Sequence, residues 1–132
     1  MIYWFTGQPG AGKTTLAKAM IKECNDDCIH IDGTIFKYRK FETYTTTDAE
    51  PIKATVDKLN EWYDDGHMIV LTTARPEELR EHTIEELELT NVPYDKLIMG
   101  IERGPRYLIN DLDPNKEGER AIAINLKRDE GI

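Results

Sequence analysis

Short hydrophobic runs alternate with longer segments of helical period along most of this chain. The runs predict buried strands, because both of their faces are apolar, as in the centre of a parallel sheet. The six predicted strands cover residues 2–5, 28–31, 67–73, 96–99, 107–111 and 121–126. Three helices are predicted between them. The first begins at Thr15 and ends at the polar run 25–27. The second opens at a capping box over 47–50 and ends at Gly66, and the third runs from Pro76 to about Leu89.

Strands that alternate with helices predict a parallel sheet that is covered on both faces. The chain has 132 residues, which is enough for one ordinary domain and too short for two. We therefore predict a single three-layer αβα domain of Rossmann-like type over 1–132, with a mainly parallel sheet of five or six strands and an N-terminal P-loop. Within it, residues 1–27 form a strand, loop and helix unit, and residues 28–132 supply the remaining elements.

Charge and composition narrow the choice of partners. The net charge is −8, which disfavours nucleic acid as a partner because nonspecific affinity for it comes from Lys and Arg contacts. A small phosphorylated or nucleotide ligand in a local basic pocket is still compatible with this charge. The sequence shows neither a signal peptide nor a long apolar span, so we expect a cytoplasmic protein that does not enter a membrane. Cys24 and Cys28 have no second pair to complete a metal site, and two reduced thiols are expected.

The most specific motif lies between the first strand and the first helix and fills the phosphate-binding pattern GxxxxGK[ST]. Its residues are Gly7, Gln8, Pro9, Gly10, Ala11, Gly12, Lys13 and Thr14, with Thr15 directly after them. Glycines let backbone N–H groups surround a polyphosphate, and a following helix N-terminus favours the same anion. Lys13 would contact the β- and γ-phosphates, and the Thr14 hydroxyl would bind Mg²⁺. We therefore expect a nucleotide, ATP or GTP, at this loop.

Polar residues follow the other predicted strands at their carboxyl ends, where open parallel sheets bind ligands. They are Asp32, Thr73, Arg75 and Asp111. Asp111 could hold Mg²⁺ from the end of its strand or could cap a turn. The aromatic and basic segment 36–47 could be a mobile, substrate-facing loop or an ordinary loop that covers the core.

Residues 1 to about 40 resemble the opening of small P-loop kinases of the adenylylsulfate kinase or polynucleotide kinase type, through FTGQPGAGKTTLAKAM and CIHIDGTIFKYR. The resemblance implies that Asp32 orients or deprotonates the acceptor hydroxyl, with Arg39 nearby. Lys13 and Arg75 would also be catalytic, with Arg75, Arg103 or Arg106 stabilising charge in the transition state. A longer lid segment with arginines, usual in such kinases, is missing.

Residues 28–132 are similar to a minimal phosphatase of the haloacid dehalogenase type. Its DxDGT signature is matched by residues 30–34, its Thr signature by Thr73, and its acidic signature by Asp111 and Asp113. The resemblance implies that Thr73, Arg75 and Arg103 contact phosphate while Asp111 binds Mg²⁺. The sequence departs from the pattern at position 30, where His replaces the nucleophilic Asp. An imidazole could be phosphorylated, or His30 could be an ordinary strand residue.

These observations leave three functions open. The first is an ATP- or GTP-dependent phosphotransferase that acts on a small hydroxyl acceptor. The second is a Mg²⁺-dependent phosphohydrolase with Asp32 as general acid and base, and the third is a nucleotide-binding protein without turnover. Strand order distinguishes the first two. In the kinase arrangement the strand at 68–73 lies between the P-loop strand and 28–31, whereas in the phosphatase arrangement 28–31 lies between 68–73 and 107–110.

Overall fold

The computed structural model describes residues 2–5 and 27–132, and it has a mixed α/β fold. Its strands are β1 (Ile2–Phe5), β2 (Asp27–His30), β3 (Ile69–Thr72), β4 (Lys96–Ile98) and β5 (Arg106–Ile109). Its α-helices are α1 (Lys53–Asp64) and α2 (Arg80–Leu89), and single 3₁₀ turns occur at Phe41–Thr43 and Glu77–Leu79. None of the helices in this part of the chain is long and apolar enough to cross a membrane.

The strands pair in two groups, and every ladder is parallel. β3 lies between β2 and β4, with His30 beside Thr72 and Thr72 beside Ile98. β1 pairs with β5, with Phe5 beside Ile109. The predicted parallel pairing is therefore confirmed, but the described strands form a three-stranded and a two-stranded sheet rather than one sheet of five or six strands.

This strand order matches each predicted arrangement only in part. Both edges of β3 are taken by β2 and β4, so β3 does not lie between β1 and β2 as the kinase arrangement requires. The phosphatase arrangement correctly places β3 beside β2. It also predicts that β5 pairs with β2, and β5 pairs with β1 instead.

The core lies where β3 meets the helices and the segment after β2. All four residues of β3 are buried, which explains why its sequence is apolar on both faces. α1 contributes Val56 and Leu59, and α2 contributes Leu87. These side chains pack with Ile31, Ile35, Phe36, Ile69, Leu71 and Val92.

One predicted strand and the predicted start of one helix are wrong. The segment 121–126 is not a strand, and Ile122 and Ile124 are 80% and 71% exposed. An apolar run becomes a strand only where it finds a ladder partner, and none of the described strands pairs with it. The predicted capping box does not open α1, because the Thr47 hydroxyl donates to the Thr43 carbonyl (2.7 Å) and Glu50 pairs with Lys37.

Candidate functional site

The site begins at the turn that follows β2. Gly33 has φ +87°, a left-handed conformation that strains any residue with a Cβ. Its N–H donates to the Phe36 carbonyl (2.7 Å), and the Ile35 N–H donates to the Ile31 carbonyl (2.9 Å). This tight turn holds Asp32 at the carboxyl end of the sheet, as the sequence predicts.

Arg75 clamps the Asp32 carboxylate with two parallel hydrogen bonds. Its Nε donates to Oδ2 (3.0 Å) and its Nη2 to Oδ1 (2.8 Å), in the bidentate geometry that suits a guanidinium and a carboxylate. Arg75 follows β3 and is only 2% exposed. Its Nη1 donates to Glu86 Oε2 (2.7 Å) and to Thr83 Oγ1 (3.1 Å) on α2. The Arg75 guanidinium therefore joins the end of β2 to the buried face of α2.

Glu86 extends this network to the loop before α1. Its Oε1 accepts from Arg39 Nη2 (2.7 Å) and lies 3.2 Å from His82 Nε2. The Tyr44 ring covers both arginines, with its centroid 4.3 Å from Arg75 Cζ and 5.2 Å from Arg39 Cζ. Loop 36–47 is thus tied to the site by charge and by stacking.

The charges in this network balance. Two arginines face two carboxylates, so the buried group is neutral as a whole. Burial alone would lower the pKa of Arg75, but hydrogen bonds and charges from Asp32 and Glu86 outweigh it and raise the pKa. The guanidinium therefore stays protonated at any physiological pH.

A cleft of about 290 Å³ lies above this pair and carries an excess of positive charge. We call it the arginine cleft. Its charged and titratable lining residues are His30, Asp32, Arg75, Arg103, Arg106 and Arg128, and its aromatic lining residues are Tyr38, Phe41 and Tyr44. Because Asp32 is neutralised by Arg75, the other three arginines give the cleft about three positive charges in a chain of net charge −8.

None of these three arginines has a carboxylate partner within residues 2–5 and 27–132. Arg128 stacks on the Tyr38 ring, with its Cζ 4.2 Å from the centroid. Arg106 Nη1 donates to the Gly104 carbonyl, while its Nε is buried and unpaired among the described residues. Guanidinium groups held in this way are suited to bind an anion with several oxygens.

His30 ends β2 at the wall of the arginine cleft. Its Nδ1 lies 3.3 Å from the backbone carbonyl oxygen of Asp32. Burial, the largest influence, lowers the pKa of His30 below its usual 6.5, and the positive charge of Arg106 lowers it further. The carbonyl contact and the Asp32 charge act in the opposite direction without cancelling the effect. The imidazole is therefore neutral at pH 7.

This lowered pKa predicts a pH dependence of stability. As the pH falls through 6.5, the unfolded chain binds a proton at this histidine more readily than the native chain does, so the free energy of unfolding decreases. We expect urea unfolding at pH 7.5 and 5.5 to show a larger loss of stability in wild type than in His30→Gln. His67→Gln, which keeps His30, is the matched control. Equal losses in wild type and His30→Gln would contradict the shift.

A second and larger cleft, of about 520 Å³, differs from the arginine cleft in the charge of its lining. It is lined by Thr45, Thr46, Thr47, Asp48, Ala49, His82, Glu85, Glu86, Leu89 and Thr90. Its formal charges are negative, which disfavours phosphate. The arginine cleft is therefore the candidate site, although its volume is smaller.

The structure brings some predicted site residues together and separates others. Asp32, Arg75 and Arg103 share the arginine cleft. Thr73 lies beneath it, fully buried, with its Oγ1 accepting the Arg75 backbone N–H (3.1 Å). Asp111 does not line the cleft. The predicted P-loop residues Gly7, Gln8, Pro9, Gly10, Ala11, Gly12, Lys13, Thr14 and Thr15 lie outside the described residues.

The cleft does not fit the predicted Mg²⁺ site. Asp32 is the only carboxylate among the described residues that line it, and both Asp32 oxygens contact Arg75. No group of three or more His, Cys, Asp or Glu side chains that could hold a metal occurs in the described part of the chain.

Sequence reasoning missed two contributors to the site. Arg128 lies in the C-terminal segment, which carries no motif, and reaches the cleft because Asp129 N–H donates to the Gly33 carbonyl (2.9 Å). Glu86 is one of several glutamates on α2, and their spacing does not indicate which of them is buried. Neither residue has a sequence signal that would have identified it.

Comparison with known proteins identifies the family. The model described as Nephrocystin 3, N-terminal, matches residues 1–88, which is two thirds of the chain. The chain belongs to the nephrocystin 3 N-terminal family. The nephrocystin 3 match includes the predicted P-loop, Asp32, Thr73 and Arg75. It ends before Arg103, Arg106, Asp111 and Arg128.

The other comparisons add little to this assignment. No curated protein matches the chain. The crystal structure of an MCSG target from Vibrio cholerae is 20% identical, with a TM-score of 0.46, and the alignment covers 58% of this chain and 70% of that one. A likeness of this strength supports no conclusion about fold or function.

Proposed function

We propose that this chain binds the phosphate group of a small phosphorylated ligand in the arginine cleft and hydrolyses its phosphomonoester bond. The observation that carries the proposal is the position of Arg103, Arg106 and Arg128, which have no carboxylate partner within residues 2–5 and 27–132, around Asp32. The resemblance of residues 28–132 to phosphatases and the pairing of β2 with β3 add support. The predicted three-layer domain with a P-loop is part of the same proposal.

The arginines would bind the phosphate oxygens and offset the charge that develops as the ester bond breaks. The attraction between these arginines and a phosphate is stronger in the partly enclosed cleft, because water screens the charges less there. Tyr38, under the Arg128 guanidinium, holds that side chain over the cleft.

Asp32 would serve as the general acid and base. Each carboxylate oxygen accepts one hydrogen bond from Arg75, and the Tyr44 hydroxyl also hydrogen-bonds the carboxylate. A carboxylate has about four acceptor positions, so one remains for a water molecule or a ligand hydroxyl. The clamp therefore orients the carboxylate without using all of its acceptor capacity. A general base must first be held within hydrogen-bond distance of the proton that it removes, and only then does its pKa matter.

The test is release of phosphate from a panel of simple phosphomonoesters by the full chain, measured with Mg²⁺ and with a chelator. We expect release by wild type and its loss in Asp32→Asn. Asp64→Asn, at the exposed end of α1, is the matched control. Because Asp32→Asn also disturbs the clamp, Arg128→Gln provides a second variant outside the buried network. Absence of release from every ester, or equal release by wild type and both site variants, would overturn the proposal.

A second candidate is a nucleotide-dependent phosphotransferase that uses the P-loop. A specific observation supports it. β1 leads into residues 7–14, β5 leads to Asp111, and the two strands are parallel with Phe5 beside Ile109, so both leave their sheet at the same edge. In P-loop proteins the loop Ser or Thr and an acidic residue at a strand end hold Mg²⁺. Thr14 and Asp111 would hold Mg²⁺ here, and the metal would neutralise charge on the β- and γ-phosphates of ATP or GTP.

Binding of Mg²⁺-ATP, and transfer from γ-labelled ATP to small hydroxyl acceptors, tests this candidate. We expect Lys13→Ala and Asp111→Asn to weaken binding, whereas Lys127→Ala, at an exposed position, should not. Transfer that is unaffected by Lys13→Ala would exclude the P-loop mechanism. ATP binding with neither transfer nor hydrolysis would select the alternative of a nucleotide-binding protein without turnover.

A further inference from the structure

His30 is held in the tautomer that makes an imidazole nucleophilic. A carbonyl oxygen can only accept a hydrogen bond, so the contact between Nδ1 and the Asp32 carbonyl (3.3 Å) requires a proton on Nδ1. In a neutral ring the lone pair is then on Nε2. The lowered pKa of His30 keeps the ring in this neutral form at pH 7.

The other reactive side chains of the arginine cleft are less available as nucleophiles. Both Asp32 oxygens are paired with Arg75, which stabilises the carboxylate and lowers its reactivity. Burial raises the pKa of Tyr44, so its phenol remains protonated. His30 is only half-buried and lines the same cleft as Arg103, Arg106 and Arg128.

The geometry points to His30 Nε2 as the atom that accepts the phosphoryl group from a small phosphorylated molecule bound in the arginine cleft. This inference rests on the proposed function, because it uses the same phosphate site and names its nucleophile. It also gives a role to the histidine that replaces the first acidic residue of the phosphatase signature.

The chemistry balances without any additional reactant. Nε2 donates its lone pair to phosphorus, the bond between phosphorus and the ester oxygen breaks, and the departing alkoxide takes a proton that Asp32 relays from solvent. The ring then carries the phosphoryl group on Nε2 and the proton on Nδ1. Water attacks phosphorus, the N–P bond breaks, and phosphate leaves while Asp32 accepts the water proton and relays it to solvent. The three arginines stabilise the phosphoryl oxygens in both steps.

The experiment uses phosphoramidate as the phosphoryl donor, because its P–N bond breaks with ammonia as the leaving group and no enzyme partner is needed. The full chain is treated at pH 7, and peptide mass spectrometry follows each histidine over time. We expect His30 to be modified at least about tenfold faster than His67 and His82, since positioned cations accelerate transfer. The rate should fall in Arg103→Gln and in the presence of inorganic phosphate.

The chemical stability of the adduct identifies the residue that carries it. A phosphohistidine is lost in acid and survives alkali, whereas a phosphoaspartate on Asp32 is cleaved by alkali and hydroxylamine. His30→Gln should remove the acid-labile adduct, and His67→Gln and His82→Gln should retain it. Equal rates at all three histidines, or an alkali-labile adduct, would overturn the inference.

A titration with inorganic phosphate separates this result from the proposed function. If phosphate binds the cleft but His30 is not modified faster than the other histidines, the inference fails and the phosphate site stands. If phosphate does not bind and His30 is not modified, both fail.

Discussion

Arg75→Met will lower the free energy of unfolding by about 3–5 kcal/mol, the largest effect that we expect from a single substitution in the described part of the chain. The guanidinium is fully buried and makes four hydrogen bonds, to Asp32, Thr83 and Glu86. Methionine fills similar space, but it leaves the buried Asp32 carboxylate without its main partner and removes one of the two arginines that pair with Glu86. A loss of this size is a large share of the 5–15 kcal/mol that stabilises an ordinary domain.

Urea unfolding measures the change, with Arg80→Met as the matched control. Arg80 makes a similar bidentate pair with Glu77, but that pair is exposed, and exposed ion pairs contribute little. Adding Asp32→Asn to Arg75→Met should recover part of the stability, because Arg39 and Glu86 then remain as a pair and no buried charge is left alone. If Arg75→Met is no less stable than Arg80→Met, the buried network is not what holds the site together.

Replacing the arginines of the cleft will weaken phosphate binding with little effect on folding. A hydrogen bond to a charged group contributes about 1.5–3 kcal/mol, so Arg103→Gln and Arg128→Gln should each reduce phosphate affinity by about tenfold or more. Both changes leave the Asp32 and Arg75 pair in place. Calorimetric titration with inorganic phosphate gives the affinities, and thermal unfolding checks the fold.

Salt concentration and a surface arginine provide the controls for this prediction. Affinity that comes from charge should fall as ionic strength rises, and the fall should be smaller in the variants. Arg80→Gln removes a positive charge outside the cleft and should leave phosphate affinity nearly unchanged. Equal losses in Arg80→Gln and the cleft variants would show that net charge, and not the cleft, sets the affinity.

The sequence predicted much of the fold because local patterns and burial agree there. β3 is apolar on both faces and is fully buried, and Asp32 follows β2 at the carboxyl end of the sheet as expected. The segment 121–126 has an equally apolar pattern but forms no strand. The pattern shows only that these residues favour the strand conformation. A strand also needs the free edge of another strand to pair with, and the sequence does not specify which edges are free.

The candidate site was only partly predictable for a similar reason. Asp32, Arg75 and Arg103 stand near turn and strand signals, but their partners come from distant segments. Arg128 is 95 residues from Gly33 in the sequence and reaches the cleft through a backbone contact of its neighbour. Arg75 shows the same limit, because no pattern in the sequence indicates that its guanidinium donates to Asp32, Thr83 and Glu86.

The most direct test of the phosphate site is an NMR titration of the ¹⁵N-labelled full chain with inorganic phosphate. We expect saturable shifts that are concentrated at Gly104, at Gly33 beside Arg128, and at the side-chain N–H groups of Arg103, Arg106 and Arg128. Signals of Thr45–Thr47 and His82, which line the larger cleft, should move little. Shifts that do not saturate, or that are centred on Thr45–Thr47, would contradict the claim that the arginine cleft is a phosphate site.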